Sequence, residues 1–371
     1  MTGPAAAPGR ELRVGVVGFG LGGRVFHAPL VAATPGLRLT AVVTRDPERR
    51  RQLERTYPEA RAVDRADDLW DERAGEPVDV VVVTVPTAAH VEVAGAAVAA
   101  GRHVVVDKPV APTAAEVRAL GAAARARGVL LVPFHNRRWD GDFLTVRRLV
   151  AEGTLGAVHR FESRFDRWRP APRAGWKEEA GLLGGLLYDL GPHLVDQALV
   201  LWGPAARVYA ERARRRPGDA ETDDDVFVAI EHQSGVVSHL GASALAGVPG
   251  ARFRVFGARG AYEKRGLDPQ EAALASGASP AGAAPLGAGW GREPEAAWGV
   301  LGAGDDVRPV PTEAGAYPAF YAGVRDAVLG IAPPPVALED AAAGVAVLEA
   351  AVASARGGGG VVEVPHAAGA A

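Results

Sequence analysis

The sequence predicts an α/β protein of two domains, with an N-terminal doubly wound parallel sheet and a C-terminal α+β domain built on a mostly antiparallel, open sheet. Three observations lead there. Short apolar strands alternate with helical patterns from Leu12 to Phe134, the spacing of βαβ units. A G-x-G-x-x-G run stands between the first strand and the helix after it, where a nucleotide-binding turn belongs. Beyond residue 135 the pattern changes to strand-like runs joined by short turns such as Gln233-Ser234-Gly235, as antiparallel sheets require.

Residues 12–17 form the first strand, and a helical stretch through Phe26, Leu30 and Val31 follows the glycines. Residues 37–43 are the second strand, and Asp46-Pro47 supplies an N-cap with proline at the first helical position,. A weaker unit at 63–69 leads to 78–85, whose valines suit a strand covered on both faces,. A helix at 90–100 ends at Gly101, and strand 104–106 runs into Asp107-Lys108-Pro109. Thr113 and Glu116 make a capping box for a helix reaching Gly128, before strand 129–134,. Six strands with intervening helices describe the Rossmann arrangement.

In the second half, residues 159–168, 208–212, 226–231, 236–243 and 252–256 read as strands. Residues 272–291 and the stretch after Arg356 are rich in Ala, Gly and Pro and read as surface segments without chemistry,. The expected organisation is a tail at 1–10, a nucleotide-binding domain at 11–134, a substrate and oligomerisation domain at 135–364, and a tail at 365–371.

Composition removes whole classes of function. The chain of 371 residues has no cysteine, which excludes disulfides, thiolate nucleophiles and cysteine-ligated metal sites. Its 41 basic and 44 acidic residues leave a net charge of -3, unlike the basic excess of nucleic-acid binders. No apolar run approaches the roughly 20 residues that span a bilayer, and the N-terminus lacks a signal-peptide pattern. A cytoplasmic protein without nucleic-acid or membrane partners is expected.

In Gly18-Phe19-Gly20-Leu21-Gly22-Gly23, Gly18 allows the tight turn, Gly20 the approach of a pyrophosphate and Gly23 close helix–strand packing. The second strand ends in Val43-Thr44-Arg45. A hydroxyl and a guanidinium suit the 2′-phosphate of NADP, whereas a carboxylate at that point would favour NAD. The alternative is that Arg45 is a solvated arginine and Asp46 binds the ribose of NAD. Lys108, at the carboxyl end of a parallel strand, can stabilise a developing alkoxide. Asp189 and His193 are four apart, with Pro192 placing the helix start near Asp189,. A carboxylate beside an imidazole suits removal of a hydroxyl proton near neutral pH. A metal bound by Asp189, His193 and Asp196 is not expected.

The combination GFGLGGRVFHAPL, TVPTAAH, DKP and GGLLYDLGPHLVDQ resembles the Gfo/Idh/MocA oxidoreductases over about residues 12–364. The resemblance implies a catalytic set of Lys108, Asp189 and His193. It also implies cofactor contacts from Gly18, Gly20, Leu21, Gly23, Thr44, Arg45, Pro86, His90, Asp107 and Lys108. One departure is that the family's glutamate before the lysine is Asp107 here. His90 resembles a family element near the nicotinamide, with a capping or packing role as the alternative. HNRRWDGDFLT and RFDRWRP are similar to the NADP-dependent scyllo-inositol dehydrogenase group, which implies substrate contacts from Asn136, Arg138, Trp139, Asp140 and Tyr188, an interdomain polar network being the alternative. The implied activity is hydride transfer between a secondary alcohol of a cyclic polyol or sugar and NADP, NAD being possible, by a homodimer or homotetramer. A non-catalytic cofactor-sensing regulator and an NAD-dependent glycosidase are the rivals on the same fold.

Overall fold

The computed structural model describes residues 10–172, 178, 183–217, 222–280 and 289–365. They belong to two compact units: residues 1–139, 269–291 and 315–341 make the first, and residues 140–268, 292–314 and 342–371 the second.

In the first unit, β1 (Leu12–Val17), β2 (Leu37–Val43), β3 (Arg61–Val63), β4 (Val80–Val83), β5 (His103–Val106) and β6 (Leu131–Pro133) form one sheet in the order β3-β2-β1-β4-β5-β6. Every pairing is parallel. This is the doubly wound order, with its switch point between β1 and β4. All four residues of β4 are buried, as a strand covered on both faces must be. Asp46 accepts the backbone N–H groups of Glu48 (2.9 Å) and Arg49 (3.1 Å) at the start of helix Pro47–Thr56. Thr113 and Glu116 cap helix Ala114–Arg127 reciprocally. The strands at 61–63, 80–83 and 131–133 are shorter than the apolar runs suggest, because Thr84, Val85 and Phe134 leave the ladder for the loops at its carboxyl edge.

A single boundary at residue 135 does not hold. The break falls after Trp139, and two later segments return to the first unit. Helix Pro318–Val328 places Phe320, Tyr321 and Val324, with Tyr317 before it, in the cluster that holds Val14, Val82 and Phe134. The segment expected to be a surface loop opens as helix Gln270–Ala275, whose Leu274 enters the same cluster. These aromatic and aliphatic side chains carry no local sign of which sheet they will cover. Residues 281–288 of that segment, and the expected tails at 1–9 and 366–371, lie outside the described residues.

The second unit contains β7 (Val158–Asp166), β8 (Ala205–Ala213), β9 (Asp225–His232), β10 (Val237–Ser243), β11 (Phe253–Gly257), β12 (Gly260–Lys264), β13 (Gly299–Ala303), β14 (Asp306–Val310) and β15 (Val362–Glu363). They make one sheet in the order β14-β13-β12-β11-β7-β10-β9-β8-β15. The β7–β10 pair is parallel and the others are antiparallel. Strands β12 to β15 go beyond the sequence reading. β15 comes from the stretch after Arg356, which is therefore not a structureless end. The inward positions of β9, Val226, Val228 and Ile230, alternate with outward Phe227, Ala229 and Glu231. Helix Gly191–Trp202 packs on β7 and β10. From Leu338–Arg356, Val347, Leu348 and Ala351 join the core around Phe161 and Phe253. Among the described residues no helix is long and apolar enough to cross a membrane.

Candidate active site

β1 hands the chain to Gly18 at φ +102°. A Cβ there would stand 2.6 Å from the Thr84 carbonyl oxygen, so both the conformation and the close approach select glycine. A Cβ on Gly23 would lie 2.2 Å from the Gly18 carbonyl oxygen, which is the close helix–strand packing expected of the third motif glycine. Gly20 has no atom within 4 Å of that position, and Leu21 is 60% exposed. The turn thus offers an open backbone face above the switch point, a cradle that a side chain would fill and a pyrophosphate fits. The chain then winds as a π-type turn, Gly22–His27, before regular helix resumes at Ala28–Ala32.

Beside this turn lies a cleft of about 590 Å³ lined by Gly18, Thr44, Arg45, Asp46, Arg49 and Arg65, among others. Arg45 donates through Nε to the Asp64 carbonyl (3.2 Å). The Asp46 carboxylate is engaged as the helix cap, the role its sequence position suggested. Sequence reasoning found Thr44 and Arg45 but missed Arg49 and Arg65. Arg49 stands three residues beyond the cap, a helical spacing that could have revealed it. Arg65 arrives from the neighbouring strand β3, and nothing local in the sequence marks it.

The ends of β4 and β5 bring Pro86, His90, Asp107 and Lys108 into the same unit. Asp107 accepts from the Thr84 hydroxyl (2.9 Å) and faces Nε2 of His27 at 3.5 Å. Burial opposes its ionisation, yet the charge and hydrogen bond of His27, with Lys108 and His90 nearby, hold the carboxyl well below the usual range,. Lys108 is half-buried and joined to Pro109 by a cis peptide bond. The ring nitrogens of His90 lie 2.9 Å from the Pro109 and Val85 carbonyl oxygens, in a nearly fully buried site. His90 therefore ties the β4 loop to the Lys108-Pro109 turn, the packing role of its two alternatives. Burial, first of all, pushes its imidazole pKa down.

Asn136 is buried in a short 3₁₀ turn, Asn136–Trp139. In that turn Arg138 pairs with Asp340 at 2.9 Å, and Trp139 meets Phe320 edge-on at 5.7 Å between centroids. Asp140, which belongs to the second unit, is buried and precedes helix Gly141–Ala151. Also in the second unit, Tyr188 and Asp189 end the short helix Leu186–Asp189, and His193 sits buried in the first turn of Gly191–Trp202. The chain therefore breaks helix at Leu190, as Pro192 implied, although Asp189 closes one helix rather than opening the next. A residue missed by sequence reasoning holds this segment in place. The Asp223 carboxylate accepts the Leu187 N–H (3.0 Å), and a Cβ on Gly185, at φ +87°, would collide with it at 1.8 Å. Burial raises the Asp223 pKa against the pull of Arg212. The acidic run Asp223-Asp224-Asp225 ahead of β9 was its only trace in the sequence.

Two family models match: an oxidoreductase family with an NAD-binding Rossmann fold over residues 12–135, and the GFO/IDH/MocA C-terminal domain over residues 143–263. The chain belongs to the Gfo/Idh/MocA oxidoreductase family. Within this family it is 38% identical over 341 residues to the uncharacterized oxidoreductase YdgJ of Escherichia coli (strain K12), covering 89% of this chain and 92% of that one. It is 32% identical over 333 residues to scyllo-inositol 2-dehydrogenase (NADP(+)) IolW of Bacillus subtilis (strain 168), covering 89% of each. A solved structure of yvaA from Bacillus subtilis superimposes with a TM-score of 0.88 at 31% identity, over 97% of this chain and all of that one. The first unit is thus the NAD-binding Rossmann fold of an oxidoreductase, and its glycine turn and cleft are the cofactor's place.

Proposed function

We propose that this protein is a cytoplasmic NADP-dependent dehydrogenase that oxidises a secondary alcohol of a cyclic polyol or sugar, with scyllo-inositol-like compounds as the substrate class. The observation that carries the cofactor preference is the cleft at the end of β2. Three guanidinium-bearing residues, Arg45, Arg49 and Arg65, line it with Thr44, while the one carboxylate at the strand end, Asp46, caps a helix. Such a cleft favours a 2′-phosphate over a bare ribose hydroxyl. The likeness to IolW, whose name states both NADP and scyllo-inositol, supports the substrate class.

Bound NADP supplies the acceptor for the hydride that leaves the alcohol carbon. The chain's own residues handle the proton and the charge. His193 takes the hydroxyl proton, Asp189 orients His193, and the Lys108 ammonium stabilises the negative charge that grows on the alcohol oxygen before it becomes a carbonyl. Asn136, Arg138, Trp139, Asp140 and Tyr188 offer the donors and acceptors that select a polyol.

Arg45→Ala lowers kcat/KM for NADP by about tenfold while leaving that for NAD within about twofold, the loss of one charge-assisted contact. Paired steady-state kinetics with the two cofactors check this. A wild-type kcat/KM for NAD equal to or above that for NADP would sink the NADP assignment.

The proposal includes a homodimer or homotetramer formed through the outward face of the nine-stranded sheet. That face carries Tyr209, Phe227 and His239 in mutual ring contact and Arg254 over Phe256 at 4.7 Å, the aromatic and arginine mixture typical of interfaces. Sedimentation should show a species of at least twice the 38.3 kDa chain mass; a purely monomeric boundary contradicts it.

A further inference from the structure

A buried line of polar groups runs up to the residue preceding Lys108, and the reaction proposed above leaves it unused. Tyr321 and His27 are both fully buried. The Tyr321 hydroxyl lies 2.6 Å from His27 Nδ1, and His27 Nε2 faces Asp107 Oδ1 at 3.5 Å. The other carboxylate oxygen accepts from Thr84 (2.9 Å). The His27 ring is wedged against Phe134, 4.2 Å between centroids, so it has little freedom to turn away. Two rings, from the π-type turn after the glycines and from helix Pro318–Val328, are therefore spent on orienting one carboxylate.

We propose that His27 and Tyr321 are positioning residues for Lys108, which act through Asp107 by fixing the carboxylate immediately before the lysine and so keeping an anion beside it across the working pH range. The inference rests on the reading of Lys108 as the residue that stabilises the alcohol oxygen. The titratable groups facing Asp107 are His27, Lys108, His90 and Tyr321. Burial alone drives its carboxyl toward the neutral acid, and His27 is the first of the groups that overcome it,. Without His27 the burial is opposed less, so Asp107 takes up a proton at higher pH. Below that pH, Lys108 loses its anionic neighbour.

The test uses the full chain labelled with ¹³C-aspartate, with the Asp107 carboxyl resonance assigned by Asp107→Asn. In the wild type this resonance shows no titration between about pH 5 and 8, while in His27→Phe, which keeps the ring volume, a titration enters that window. Tyr321→Phe gives a smaller change in the same direction and serves if His27→Phe folds poorly. His27→Gln, which keeps an N–H donor, restores the wild-type behaviour in part. In NADP-linked turnover the acid limb of the kcat profile of His27→Phe moves up by about one pH unit or more, so that kcat on that limb falls about tenfold. An Asp107 resonance that stays untitrated in both variants overturns the proposal, as does a loss of turnover equal at every pH. Undiminished turnover in Lys108→Ala instead removes the underlying role of Lys108, a failure that the carboxyl titration does not report.

Discussion

Lys108→Ala lowers kcat by about 10²- to 10³-fold while the Kd for NADP changes by less than about threefold. The size follows from where the charge is needed. A hydroxyl group on the bound alcohol is neutral, and the oxygen becomes anionic only as the proton leaves, so an ammonium aimed at it contributes to the transition state far more than to the ground state. Lys108 sits at the carboxyl end of β5, next to an ionised and buried Asp107, at the edge where doubly wound sheets place their chemistry. Lys108→Arg keeps the charge but replaces a compact ammonium with a planar fork, and recovers only a small part of the rate. Steady-state kinetics with a fluorescence titration of NADP separate the two quantities. A loss confined to cofactor affinity would make Lys108 a binding group and remove it from the chemistry.

Gly23→Ala destabilises the protein by about 3 kcal/mol, which lowers Tm by about 6–12 °C for a unit of this size. The new methyl group would lie 2.2 Å from the Gly18 carbonyl oxygen, a backbone atom that no rotamer change can move aside. Gly20→Ala makes the informative contrast, because nothing lies within 4 Å of its Cβ position. Its stability stays within about 0.5 kcal/mol of wild type, yet its affinity for NADP falls by about tenfold or more, since the methyl group stands on the face kept open for the pyrophosphate. Calorimetry and cofactor titration on the two variants check both statements. Equal stability losses at Gly20 and Gly23 would contradict this assignment of the motif.

The parallel sheet was legible because its signals are local and agree with one another. The β4 valines, the Asp46-Pro47 cap and the Thr113–Glu116 capping box each name an element within a few residues, and the glycine spacing names the turn between two of them. What escaped was non-local. Phe320, Tyr321 and Leu274 belong to a core laid down some 200 residues earlier in the chain. Strands β13 and β14 lack a long alternating run, and β15 is two residues long. The site divides the same way. Thr44 and Arg45 were found because a strand end is a recognisable place, whereas Arg65 and His27 matter through neighbours that only the fold supplies. Asp223 shows the limit most plainly, since its acidic run reads as surface charge until Gly185 and the Leu187 N–H are seen against it.

The central claim is that this chain oxidises a cyclic polyol or sugar with NADP, and the measurement that tests it most directly is NADP reduction followed at increasing concentrations of scyllo-inositol, myo-inositol, glucose and xylose, with Lys108→Ala as the paired control. The account predicts saturable NADPH formation with at least one of them, greatest for the inositols, and its near-disappearance in the variant. No reduction of either NADP or NAD with any of the four, by protein that binds NADP, would contradict it.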